Sequence, residues 1–208
     1  KTAYGIGVRL VGSGMGIRDS YMRGQARDYE NWAKLSGEET WNWEHALNAF
    51  KAHENNYRLD NGADPITGNN SSFSDLHGNG GEWRIEKQRL RWDVLDSFVQ
   101  AAAEMGSEKT DDFNSCDNAG VGYFDVNQRS GWRWSASKAF LRPVQSRPNL
   151  TVWTEAHVER LNFKVGLDGV VRCYGVTIQR KGAAIQVEAM QEDSLSAGAG
   201  SSPQILQL

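Results

Sequence analysis

The chain of 208 residues is long enough for one domain or one and a half, and a compact body of that size buries roughly 70% of the surface its unfolded form exposes. A hydrophobic fraction of 39%, with 8 Trp, 6 Tyr and 7 Phe, excludes a disordered chain. The 23 Lys and Arg stand against 26 Asp and Glu, a net charge of -3 that gives no general pull toward nucleic acid or an anionic membrane, so neither is expected as a partner.

In chain order, the segment through Gly24 is rich in glycine and shows no sustained period. Two helices follow, over residues 28–35, with Tyr29, Trp32 and Ala33 on one side, and over 43–53, where Asn42 is placed to cap the start and Ala46, Leu47 and Phe50 form an apolar stripe. From Asn55 to Gly81 the composition turns to Asn, Gly, Ser and Asp, which predicts a long surface loop. Next come Arg84, Lys87, Arg89 and Arg91 near Trp83 and Trp92. Glu82, Glu86 and Asp93 interrupt them, which favours a salt-bridged, solvated stretch over a phosphate site. A helix is predicted over 92–105, with Val94, Leu95, Phe98, Ala101, Ala102 and Met105 at helical spacing as a core-facing stripe and Gly106 as its stop. A short helix over 135–141 is expected to end before Pro143.

The last third changes period. Leu150, Val152 and Thr154, then Val158, Leu161, Phe163 and Val165, alternate or nearly so, and residues 170–179 and 184–190 continue the pattern, with turns at 166–169 and 181–182. The expected class is α+β: amino-terminal helices and long loops over 1–149, followed by an antiparallel β-meander over 150–208.

Taken by themselves, few residues point to chemistry. Asp111-Asp112 and Glu38-Glu39 lack a histidine or third carboxylate at metal-binding spacing, so turn and cap roles are expected and no metal. Cys116 and Cys173 lie too far apart for a redox or zinc motif and are read as two reduced thiols. None of His45, His53, His77 and His157 stands near a Ser, Asp or Cys in a recognisable nucleophile pattern. No apolar run reaches the length of a bilayer span and the amino terminus lacks the order of a signal peptide, so a cytoplasmic location is expected.

The word order of the chain says more. Residues 110–143 read TDDFNSCDNAGVGYFDVNQRSGWRWSASKAFLRP; upstream stand Arg23-Gly24-Gln25-Ala26-Arg27-Asp28-Tyr29 with Trp32, and Arg89-Leu90-Arg91-Trp92-Asp93; near the end stand Ser196-Ala197-Gly198-Ala199 and Ser202-Pro203-Gln204-Ile205-Leu206. These stretches, which span nearly the whole chain, resemble the glucose-methanol-choline (GMC) oxidoreductases, in particular their bacterial choline-dehydrogenase-like branch. The resemblance implies a partial FAD-binding domain of that type, a small-molecule alcohol as substrate, and hydride transfer from its CH–OH carbon to the flavin. Gly7, Leu10, Gly12, Ser13, Tyr21, Arg23 and Gly24 match the family's first signature, while Val11, Gly14 and Ile17 replace the glycine, serine and asparagine common there.

By the same resemblance Gly12, Ser13, Trp134 and Ser135 approach the flavin, with Asn127, Gln128 and Arg129 lining the region. The backbone at Val158 faces the adenine, and Ala197 and Gly198 lie near phosphates or ribose. Asp193 and Ser194 stand where the relatives carry an apolar strand. The family's catalytic histidine motif matches none of the four histidines, so no catalytic residue is carried over, and the chain is expected to be a central fragment, inactive on its own. The alternative is a non-catalytic binding or structural module derived from the family. Either way an apolar face is expected to be exposed, and with it a tendency to form homo-oligomers.

Overall fold

The computed structural model describes residues 6–8, 20–59, 71–116 and 118–208. They fall into two compact units. A short amino-terminal strand, β1 (Ile6–Val8), belongs with residues 145–208, and residues 20–144 make up the other unit. The mixture of helices with antiparallel sheets is the expected α+β class.

The larger unit begins with α1 (Ala26–Ser36) and α2 (Trp43–His53). Asn42 caps α2 as its side-chain oxygen accepts from the His45 N–H at 3.1 Å. The two helices meet through rings: Tyr29 lies 5.5 Å from Trp43 and 5.9 Å from Phe50. The described residues of the segment read as one long loop hold regular structure. They include β2 (Glu54–Asn56), a 3-10 turn (Tyr57–Leu59) and α3 (Ser71–Leu76), because buried side chains of Glu54, Asn56 and Arg58 tie these polar residues to the interior.

Next come β3 (Trp83–Lys87), α4 (Asp93–Glu104), β4 (Asp125–Val126), β5 (Gln128–Arg129) and β6 (Trp132–Arg133). Strand β3 is central in a three-stranded sheet, parallel to β2 and antiparallel to β4, and β5–β6 is a separate hairpin. Ile85 at the centre of β3 is fully buried. The basic stretch is salt-bridged as expected, Glu86 engaging Arg84 and Arg89 while Asp96 engages Arg91.

Two sequence expectations are corrected here. The apolar stripe of α4 is not core: Val94 is 68%, Phe98 66% and Met105 88% exposed. Helical spacing identifies an apolar face but not what covers it. The helix over 135–141 ends before Pro143 as expected but differs in kind and is followed at once by a second turn. Residues Ser137–Leu141 form a π-turn, with the Arg142 N–H donating to the Ser137 carbonyl, and a 3-10 turn (Arg142–Val144) carries Pro143 onward. Near the start of a new turn the missing N–H of proline costs no hydrogen bond.

The second unit is built on a three-stranded antiparallel meander, β7 (Ala156–Val165), β8 (Val171–Arg180) and β9 (Ala183–Glu188), with β8 in the middle. Leu150, Val152 and Thr154, expected to open it, form no strand. Lys181 and Gly182, both at positive φ, make the tight turn between β8 and β9. Strand β10 (Asp193–Leu195) runs parallel to β1, and α5 (Ser201–Gln207) closes the chain. Val176, Ile178, Ala197 and Ile205 form the core, with Val158, Leu161 and Leu195 packed against it.

Candidate functional site

The residues assigned to the cofactor divide between the two units, and Gly12 and Ser13 lie outside the described residues. In the larger unit the β5–β6 hairpin delivers Trp134. Its N–H donates to the Asn127 carbonyl at 2.8 Å, its indole Nε1 donates to the Glu82 carbonyl at 2.7 Å, and the Arg129 guanidinium stands 5.0 Å from the ring centroid. The indole is therefore held at its edge and covered on one face by a cation. Asn127 is buried and accepts from Trp83 Nε1 at 2.6 Å. Ser135 starts the following turn, its carbonyl accepting from the N–H groups of Lys138 and Ala139, each at 2.9 Å. Gln128 pairs with Arg133 across the hairpin. Asn127, Arg129, Trp134 and Ser135 thus share one neighbourhood.

In the second unit Val158 pairs with Ile178, and its side chain packs on the same cluster as Ala197. Strand β7 is the edge of its sheet, so no described strand pairs with the outer side of its backbone. Ala197 is buried and its N–H donates to Ser202 Oγ at 3.0 Å; the Gly198 carbonyl accepts from the Ser202 N–H at 2.9 Å. Gly198 has φ of 100° and a Cβ there would meet nothing within 4 Å, so the backbone conformation calls for glycine and leaves open space beside it. A dinucleotide needs this kind of surface, small residues and main chain that can be approached closely.

Asp193 and Ser194 do form a strand, through backbone pairing with β1. Both Asp193 carboxylate oxygens are shielded from solvent and lie beside the Cys173 thiol. Burial, and then the Gly175 carbonyl and Asp193, act on the neighbouring Cys173 thiol, whose pKa ends above its ordinary value.

The most developed polar assembly escaped sequence reasoning. His77 is sandwiched between two carboxylates: Nδ1 lies 2.9 Å from Glu54 Oε1 and Nε2 lies 2.9 Å from Asp112 Oδ2. Glu54 also accepts from the Arg23 guanidinium and from the Gly78 N–H at 2.9 Å. The side chains of Glu54 and His77 are completely buried. Burial opposes charge on His77, but the bonds to Asp112 and Glu54 outweigh it and raise its pKa; burial likewise opposes charge on Glu54 and Asp112, but His77 holds both below their usual range. Both ring nitrogens of His77 are thus taken up by carboxylates. His77 stacks on Phe73 at 4.1 Å, and the Arg58 guanidinium lies 5.1 Å from the Phe73 centroid.

Asp112 also fills the turn role expected of it, since Oδ1 accepts from the Asn114 N–H at 2.8 Å. Its partner in the assembly, His77, lies 35 residues away in sequence, which is why spacing alone could not find it. The other histidines are elsewhere: His45 Nδ1 contacts the Asn42 cap at 2.9 Å, His53 lies against Phe50 and Phe140, and His157 is exposed on β7.

The model of the GMC oxidoreductase family matches residues 9–208. An oxygen-dependent choline dehydrogenase of Staphylococcus haemolyticus is 38% identical over 188 residues, which cover 90% of this chain and 30% of that protein. An alcohol dehydrogenase [acceptor] of Pseudomonas putida is 35% identical over 190 residues, 90% of this chain and 31% of that one. Among solved structures, pyridoxine 4-oxidase from Mesorbium loti superposes with a TM-score of 0.71 at 29% identity, over 90% of this chain and 33% of its own. A fungal aryl-alcohol oxidase, at 20% identity and a TM-score of 0.67, shares the fold. The chain belongs to the GMC oxidoreductase family, of alcohol-oxidising flavoenzymes, with FAD the cofactor that membership implies. It spans about a third of the length of the curated relatives it matches.

Proposed function

We propose that the chain is the central part of an FAD-dependent alcohol or choline dehydrogenase, in which a hydride leaves the CH–OH carbon of a small alcohol for the flavin. The family match across residues 9–208 carries this reading. The smaller unit would take the adenine and phosphate end of the cofactor, with the outer backbone edge of β7 at Val158 against the base and the loop at Ala197 and Gly198 beside phosphates or ribose. Gly12, Ser13, Trp134 and Ser135 would border the flavin. When bound, FAD supplies the electron sink, and the chain's own task is to hold and orient it.

The family's catalytic histidine motif matches none of the four histidines, and both ring nitrogens of His77 are already engaged by carboxylates. The chain by itself is therefore proposed to bind the cofactor without turning over alcohol, and the cytoplasm is its proposed location. Titration with FAD followed by absorbance near roughly 375 and 450 nm, the flavin's own bands, tests the reading. We expect saturable uptake that Gly198→Val weakens at least tenfold, by forcing a branched side chain into a left-handed backbone. A colourless chain that takes up no FAD would overturn it and leave the non-catalytic module.

A further inference from the structure

Two concavities on the larger unit contrast in charge. One, of about 320 Å³, mixes the cations Arg58, Lys87, Arg91 and Lys109 with the acids Asp96, Asp111 and Asp125, and both of its arginines are ion-paired, Arg58 with Asp125 and Arg91 with Asp96. The other, of about 400 Å³, is lined by Arg129, Ser130, Trp132, Trp134, Lys138 and Arg142, with no acid in its wall. Arg129, Lys138 and Arg142 make no ion pair with any described carboxylate; the bonds they do make are Arg129 over the Trp134 ring and Lys138 Nζ to the Arg133 carbonyl at 2.7 Å. The nearby acid, Glu86, accepts from the Ser130 N–H at 3.0 Å and is already neutralised by Arg84 and Arg89. Above this basin Trp132 holds its indole 75% exposed, an apolar ring surface with no need of water.

Three cations that no described carboxylate pairs with focus a positive potential in a concave wall, and two of them are guanidinium groups, whose planar fork matches the oxygens of a phosphate. A solvent-facing indole beside them offers a shelf on which a planar ring stacks. We propose that this basin is a binding site for an aromatic phosphate monoester, its phosphate held by Arg129, Lys138 and Arg142 and its ring laid on Trp132. The site shares Trp134 with the flavin reading but needs no flavin, so the two stand or fall separately.

The test is calorimetric titration of the flavin-free chain with phenyl phosphate, inorganic phosphate and phenol. Phenyl phosphate is expected to bind at least about tenfold more tightly than either fragment, because ring and charge are read together, and its affinity is expected to fall with added salt. Arg142→Gln and Trp132→Ala, both exposed positions whose loss leaves the core intact, are each expected to weaken it about tenfold. Retention of the fold is checked by circular dichroism, and Trp132→Ala also removes the fluorescence quenching that ring stacking causes. Equal affinity for phenyl phosphate and inorganic phosphate, affinity unchanged in both variants, or no binding at millimolar phenyl phosphate would each overturn the proposal.

Discussion

His77 joins segments that the sequence keeps far apart, and its chemistry makes their union dependent on pH. With Nδ1 on Glu54 and Nε2 on Asp112, its folded pKa is raised from an ordinary 6.5. The stability it contributes is fully present below that value and is lost as pH rises through the folded pKa. The depressed carboxyls of Glu54 and Asp112 act oppositely: their contribution is present above the ordinary 4.5 and 3.8 and is lost as pH falls through their folded values. His77→Ala leaves two buried carboxylates without their cation, so urea unfolding at neutral pH should show a loss of about 3–5 kcal/mol. The alkaline decline due to this group should vanish with it. Asp125 carries the reverse sign. Burial, only partly offset by Arg58, pushes its carboxyl from 3.8 up to about 6, so the folded state holds a proton that the unfolded chain has released and stability declines between those values. Asp125→Asn should flatten that decline, a change of about 3 kcal/mol in the difference between variant and parent from pH 4 to pH 7, read by the same unfolding curves.

At the scale of elements, local chemistry was legible where a helix states its own ends. Asn42 caps α2 where its side chain predicts, and the period of α4 located it to within a residue at either end. The turns at 166–169 and 181–182 were equally plain, because glycine and aspartate there serve the backbone directly. What periodicity could not tell was the surroundings of α4. Phe98 is two-thirds exposed, so Phe98→Ser should change stability by less than about 1 kcal/mol, whereas a core phenylalanine would cost several times that. Sedimentation of the variant should also show less self-association than the parent, since the exposed stripe is then interrupted. The stretch read as loop failed for a related reason: Glu54, Asn56 and Arg58 look like solvent-seeking residues, and only their partners in three dimensions explain why they are buried.

For the whole molecule, family and fold class could be read because the motif order from Arg23 to Leu206 is a one-dimensional signal that survives substitution. The candidate site was legible only in part. Asn127, Arg129 and Trp134 are close in sequence and meet as a local group, whereas the Arg23–Glu54–His77–Asp112 assembly depends on contacts across 23 to 35 residues that no spacing rule anticipates. One feature of the second unit carries further. Strand β7 runs for ten residues with its outer side matched by no described strand, so beyond the bulge at Glu159 that side presents a row of amide and carbonyl groups that no described strand pairs with. Such a row is a template on which a neighbouring molecule can add its own chain, so concentrated solutions of this polypeptide are open to ordered, fibre-like polymerisation unless a bound group or further protein occupies the margin.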